Sequence, residues 1–238
     1  MIKASFISLL TLIAYINCYG QQDVQETDSA VVIETRALNN FDKIIVSRGI
    51  NVTLEEGVSP QAEIHIKNTT PEDVIIEQEG MTVTIKMRTK IYKDVAVNVF
   101  LTLGTNPIRE INAGTGGSVY SEMELEGDQL QLEAGADASI QLEVTMKKIV
   151  VNASAASIHL TGSTNFLDVT ASAAGRFDGL NLEAGQAVAK ANMGSKIYLW
   201  VTQKLEAKSA TGGKIGYTGS PDKVEIKTSL GGTVEEVE

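Results

Sequence analysis

Cysteine is almost missing from this chain of 238 residues. The only one, Cys18, lies near the start, so the rest can form neither an intrachain disulfide nor a thiolate metal site. Aromatic residues make up 5% and hydrophobic ones 43%, so a core has to be built from Val, Ile, Leu and Ala. Proline is rare at 4 and glycine frequent at 21, which fits neither a disordered nor a collagen-like chain. No apolar run after residue 20 is long enough to span a bilayer as a helix. Positive charge is also short. The formal net charge is −10, no Lys/Arg cluster offsets it locally, and such a surface repels phosphate backbones. Nucleic acid is therefore not an expected partner.

The start of the chain carries an address. Lys3 gives a short positive region, Phe6 to Ile16 is apolar, and Cys18-Tyr19-Gly20 puts small residues at −3 and −1 of a cut before Gln21. Residues 1–20 are read as a signal peptide and 21–35 as a polar linker. The expected location is outside the cytoplasm: periplasm, outer-membrane surface or extracellular space. A lipoprotein anchored through Cys18 is the alternative reading. Asn17 stands at −1 of that cysteine, where lipoprotein signals take Gly, Ala or Ser.

A repeat fills the second half. A tract of small residues leads to one apolar anchor and then to period-2 alternation, as in Glu133-Ala-Gly-Ala-Asp-Ala-Ser-Ile140 and Lys208-Ser-Ala-Thr-Gly-Gly-Lys-Ile215. The anchors Val119, Ile140, Ile158, Phe177, Ile197, Ile215 and Val234 are spaced by 21, 18, 19, 20, 18 and 19 residues. Helical repeats and propeller blades are longer, and the leucine-rich pattern is missing. Alternation such as Ile197-Tyr-Leu-Trp-Val201 is strand periodicity. A coil of about 19 residues traces a loop of roughly 60 Å, and coils stacked about 4.8 Å apart can pair backbone to backbone. The expectation is an all-β, right-handed parallel β-helix, the hand favoured for parallel crossovers. Its repeats occupy residues 109–238. Shorter, less regular strands over 36–108, such as Ile50-Asn-Val-Thr-Leu54, are expected to cap one end.

The segments Arg36-Ala-Leu-Asn-Asn-Phe-Asp-Lys-Ile and Arg48-Gly49-Ile50-Asn51-Val52, the small-residue tracts and Tyr217-Thr-Gly-Ser-Pro221 together resemble a known family. It is the putative auto-transporter adhesin, head GIN domain family of Gram-negative bacteria, and the likeness covers residues 36–238. The resemblance implies an extracytoplasmic β-helix and brings no catalytic residues. Several tracts depart from the family's glycine, with Ser172, Asn192 and Ala210 in its place.

Chemistry is sparse. His65 and His159 are far apart and have no cysteine to assist, so no metal site is expected. No phosphate loop, dinucleotide fingerprint or nucleophile elbow is present, and no cofactor is expected. Asp137, Asp168 and Asp178 are the best carboxylates for a β-helix carbohydrate enzyme, and they fall in different columns. If the anchors point inward, the next residues point out. That column reads Tyr120, Gln141, His159, Asp178, Tyr198, Gly216 and Glu235. Two residues on, a second column reads Glu122, Glu143, Thr161, Leu180, Trp200, Thr218 and Val237. Aromatics flanked by carboxylates and hydroxyls suit sugar stacking or protein contact. The candidate ligand-binding residues are Tyr120, His159, Asp178, Tyr198 and Trp200. The leading expectation is a non-enzymatic, adhesin-like envelope module that binds a glycan or a cell-surface protein. The alternatives are a structural envelope protein without a ligand and a carbohydrate-active enzyme. The sequence does not set an oligomeric state.

Overall fold

A computed structural model describes residues 31–237. The expected signal peptide over 1–20, Cys18 and the first ten residues of the expected linker lie outside the described residues. The chain forms a β-solenoid of about 7 turns with coils of about 19 residues. Its strands are β1 (Val32–Ala37), β2 (Lys43–Ser47), β3 (Asn51–Glu55), β4 (Gln61–Lys67), β5 (Val74–Glu79), β6 (Thr82–Met87), β7 (Ala96–Thr102) and β8 (Glu110–Gly114). Then follow β9 (Ser118–Gly135), β10 (Ser139–Ser154), β11 (Ser157–Ser172), β12 (Arg176–Ala191), β13 (Lys196–Ser209), β14 (Lys214–Thr218), β15 (Lys223–Thr228) and β16 (Thr233–Glu236).

The repeat arises from register. Strands β9 to β13 pair in parallel, each on the next, and β13 carries β14 and β15. Val119, Ile140, Ile158, Phe177, Ile197 and Ile215 stand one above another and are buried. Val234 ends the column half-buried. The small-residue tracts form the corner before each anchor. Gly135-Ala-Asp-Ala138 closes with a bond from the Ala138 N–H to the Gly135 carbonyl, 3.2 Å, and both central residues have positive φ, 50° and 63°. That is the pattern of a type I′ turn. Ala113, Ala134, Ala153, Ala171 and Ala191 form an inward column just before the corner, where converging faces leave room for little more than a methyl group.

The first strands do not simply precede the stack. Strand β2 lies between β6 and β8, and β3 lies between β7 and β9, all parallel. The coil formed by residues 43–55 is thus intercalated between coils made later in the chain. The Gly49-Ile50-Asn51 motif explains how it is held. Arg48 and Gly49 take φ of 61° and 72° to turn the corner, and the Gly49 N–H donates to the Thr115 carbonyl at 3.1 Å. Ile50 is fully buried, and its carbonyl accepts from the Ser118 N–H at 2.9 Å. Outside, the Asn51 amide donates to Asn98 Oδ1 at 3.1 Å and accepts from Ser118 Oγ at 2.7 Å. Turn, core anchor and outer clamp come from three consecutive residues. Ile50→Ala is expected to cost about 2–5 kcal/mol through a cavity between three coils. Gly49→Ala meets no neighbouring atom and is expected to cost only about 1–2 kcal/mol for its positive φ. Denaturant unfolding checks the order, and equal losses would contradict it.

Antiparallel pairing is confined to the first part of the chain. Strand β4 pairs with β7 and β1 with β4, while β5 and β6 form a hairpin. Val32 to Thr35, expected as linker, belong to β1, because their backbone pairs with β4. Asp73, buried at 6% exposure, takes a 2.5 Å contact from Lys90 Nζ and a hydrogen bond from Thr69 Oγ1. The Lys90 hydrogen bond, then that of Thr69, holds the Asp73 carboxyl below its usual range, and the same pair raises the Lys90 amine. Stability from Asp73 is complete above the ordinary carboxylate pKa and is lost as pH falls through the depressed value. That from Lys90 is complete below the ordinary amine pKa and is lost as pH rises through the raised one. Asp73→Asn should therefore lower Tm by a constant amount between about pH 5 and 9, with the gap closing at strongly acidic pH. A gap that persists unchanged at pH 2, or none at neutral pH, would refute this assignment.

Candidate glycan or protein interface

The outward column expected from the anchors is present in unbroken register. Tyr120 pairs with Gln141, Gln141 with His159, His159 with Asp178, Asp178 with Tyr198, Tyr198 with Gly216 and Gly216 with Glu235. Buried residues on either side of Tyr120, Gln141, His159, Asp178 and Tyr198 fix their direction. The Tyr120 hydroxyl donates to Glu122 at 2.8 Å, which raises the phenol above its ordinary pKa. Tyr120 and His159 line one shallow depression of about 210 Å³ with Glu122, Gln141, Glu143 and Thr161. Lower in the column, Arg176 donates to Asp178 at 3.0 Å and its guanidinium lies 5.2 Å from the Tyr198 ring centre. That ring also rests on Gly216, where a Cβ would come within 2.8 Å of Tyr198 Cδ1.

The second column differs from its expected composition. Glu143 stands beside Glu124 rather than Glu122, Thr161 beside Asn181, and Trp200 beside Glu183 rather than Leu180. Bulges cause this. The ladder shifts between Gln141 and Glu143, between His159 and Thr161, and between Gly179 and Glu183. Unequal coil lengths have to be absorbed somewhere, and the extra residues are looped out just past the aromatic column, leaving Leu180 exposed. Trp200 is half-buried. Its indole lies over Gly219, whose φ is 101°, and a Cβ there would come 2.4 Å from Trp200 Cδ1.

The five candidates thus fall into three neighbouring groups on one surface: Tyr120 with His159, Asp178 with Tyr198, and Trp200. The alternative acids do not converge. Asp137 sits in a corner turn, Asp168 pairs with Val150 and Val188 on another stretch of strand, and Asp178 is held by Arg176. His65 is occupied by Glu63 at 2.7 Å and packs on Phe100 at 4.8 Å, away from His159. Among the described residues no group of three or more His, Cys, Asp or Glu could hold a metal ion. No helix among them is long and apolar enough to cross a membrane.

Residues 40–221 match the family described as putative auto-transporter adhesin, head GIN domain. The chain belongs to this family. Solved structures share the fold of this GIN-domain protein at low identity. A putative adhesin from Bacteroides fragilis superposes with a TM-score of 0.77 at 16% identity, covering 87% of this chain and 97% of that one. A putative adhesin from Parabacteroides merdae gives 0.71 at 19%, covering 89% and 98%. A protein from Parabacteroides distasonis described as a putative lipid binding protein gives 0.65 at 16%, covering 87% and 97%. No curated protein sequence matches the chain.

Two features of the GIN-domain surface escape a linear reading. One is the glycine seating of the aromatics. Gly219 belongs to the Tyr217-Thr-Gly-Ser-Pro221 motif, so a fixed glycine one coil after a tryptophan is the signal that finds it. The other is positive charge: no basic cluster exists along the sequence, yet stacking places Lys190, Lys208 and Lys227 in one column. Their recurrence at one offset before successive corners is the signal. Gly219→Ala should displace the indole, shift the emission of the only tryptophan and lower stability by about 1–3 kcal/mol. Unchanged fluorescence and unchanged Tm would show that Trp200 does not rest there.

Proposed function

We propose that this GIN-domain protein is an exported, non-enzymatic, adhesin-like module of the cell envelope that holds a glycan or a protein on the Tyr120–Trp200 surface. The observation that carries this reading is the in-register column itself. It gathers Tyr120, His159, Asp178 and Tyr198 along one strip, with Trp200 beside it, where each is kept outward by buried anchors. Half-exposed aromatic rings next to carboxylates and amides can stack on apolar sugar faces and hydrogen-bond to hydroxyls. The signal-like start and the family are consistent with a place in the periplasm or on the outer surface.

One observation favours a structural role without a ligand. Tyr198 and Trp200 each cover a glycine of the next coil, so their rings also contribute packing. The deciding experiment is a glycan array with the mature chain beside Trp200→Ala and Tyr198→Ala. Specific binding lost in variants whose Tm stays close to wild type supports the proposal. Failure of a folded wild-type sample to bind any glycan or envelope protein leaves the structural role.

A further inference from the structure

Within a chain of net charge −10, the last coils carry a basic edge. Lys190, Lys208 and Lys227 are successive in-register partners just before the corner, and Arg176, Lys196 and Lys214 are successive partners just after it. In the earlier coils the first of these columns holds Asn112, Glu133, Asn152 and Thr170, and the second holds Ser118, Ser139 and Ser157. Neighbouring coils are about 4.8 Å apart, and like charges at that separation destabilise a sheet. A repeated lysine at this position therefore opposes folding.

The counter-charges are already engaged. Lys204 takes Glu206 at 2.6 Å and Lys223 takes Glu225 at 2.7 Å, while Asp168 reaches Lys190 at 3.6 Å. Among the described residues no carboxylate forms a close ion pair with Lys208, Lys227, Lys196 or Lys214; Glu206 and Glu225 attract Lys208 and Lys227 only at longer range, while bonded to Lys204 and Lys223. On the flank before the corner, five lysines (190, 204, 208, 223 and 227) face three carboxylates (168, 206 and 225). A groove of about 340 Å³ runs there, lined by the three column lysines together with Asn192, Thr228 and Ser229.

We propose that this groove binds a linear acidic polysaccharide, with one acidic group of the chain held by each of Lys190, Lys208 and Lys227. The lysines form a line along the solenoid axis, and the second column lies on the other side of the corner. A line suits an extended chain, whereas a bilayer needs a broad plane. The coil spacing is close to the length of one sugar ring in an extended glycan. A long polyphosphate would meet the acidic remainder of the surface, which a polymer of lower charge density tolerates. The groove lies across the corner from the Tyr198 column, so this site and the aromatic surface can fail independently.

The test measures binding of polygalacturonate at low ionic strength to the full chain, to Lys208→Gln/Lys227→Gln, to Lys208→Arg and to Trp200→Ala. The expected result is binding that weakens with added salt and drops at least tenfold in the double variant. Lys208→Arg should retain it, and so should Trp200→Ala, while neutral dextran should not bind. The double variant should unfold at the same or a higher temperature, since it relieves lysine repulsion. Equal binding by the double variant would overturn the proposal. So would no polygalacturonate binding by folded wild type, or tighter binding to duplex DNA or to phosphatidylglycerol vesicles.

Discussion

Everything in this protein depends on a parallel backbone ladder that must stay in register as the chain goes round. The hardest place to keep it is the corner, where two consecutive residues turn with positive φ in every coil of the repeat except at Ala155, which does so alone. Non-glycine residues there cost about 1–2 kcal/mol each, and Ala136, Asp137, Ala173 and Ala174 all accept that cost. The offset comes from the coil on the next level: the Asp137 N–H donates to the Ala155 carbonyl at 2.8 Å, and the Ala174 N–H to the Met193 carbonyl at 2.9 Å. Each such bond is worth roughly 0.5–1.5 kcal/mol net, less than two positive-φ residues cost together, so the parallel ladders on either side of the corner have to supply the rest. The corners therefore form together with the stack, and they fix the height of every outward side chain.

Legibility in the sequence follows from that ladder. The anchor column could be read directly because each anchor immediately follows its corner, where register is locked; Val119 to Ile215 and the Tyr120 column beside them needed no structure. Two residues further on, the bulges intervene, and counting forward from the anchor fails. Leu180 looked like a partner of Trp200 and is instead looped out, with Glu183 in its place. The lysine columns were hidden for another reason. Lys190, Lys208 and Lys227 are 18 and 19 residues apart, so no local window shows them together and only their recurrence at the repeat period points to one column. The placement of β2 and β3 was the least legible, since no local pattern tells a strand that it will be inserted between later ones.

The same stacking distributes charge unevenly over an acidic molecule. Glu122, Glu124 and Glu143 lie near the aromatic column in the early coils, while the lysines gather at one edge of the late ones. A solenoid makes this separation simple, because each coil contributes one residue to each column and a column can change character along the axis. The aromatic strip and the basic edge are thus two neighbouring lines on one scaffold, each readable and mutable without altering the other's anchors.

The intercalated coil also has a mechanical meaning. A pull on the chain near Val31 first meets β1, an edge strand paired only with β4. Once β1 has left β4, tension passes along the chain to β2, through the corner at Arg48-Gly49, and to β3. Those strands are bonded on both sides, to β6 and β8 and to β7 and β9, and Ile50 is buried between them. They cannot peel away as a terminal coil would. Extraction requires two parallel ladders to shear at once, so the early part of the chain acts as a clasp that spreads tension into the middle of the stack.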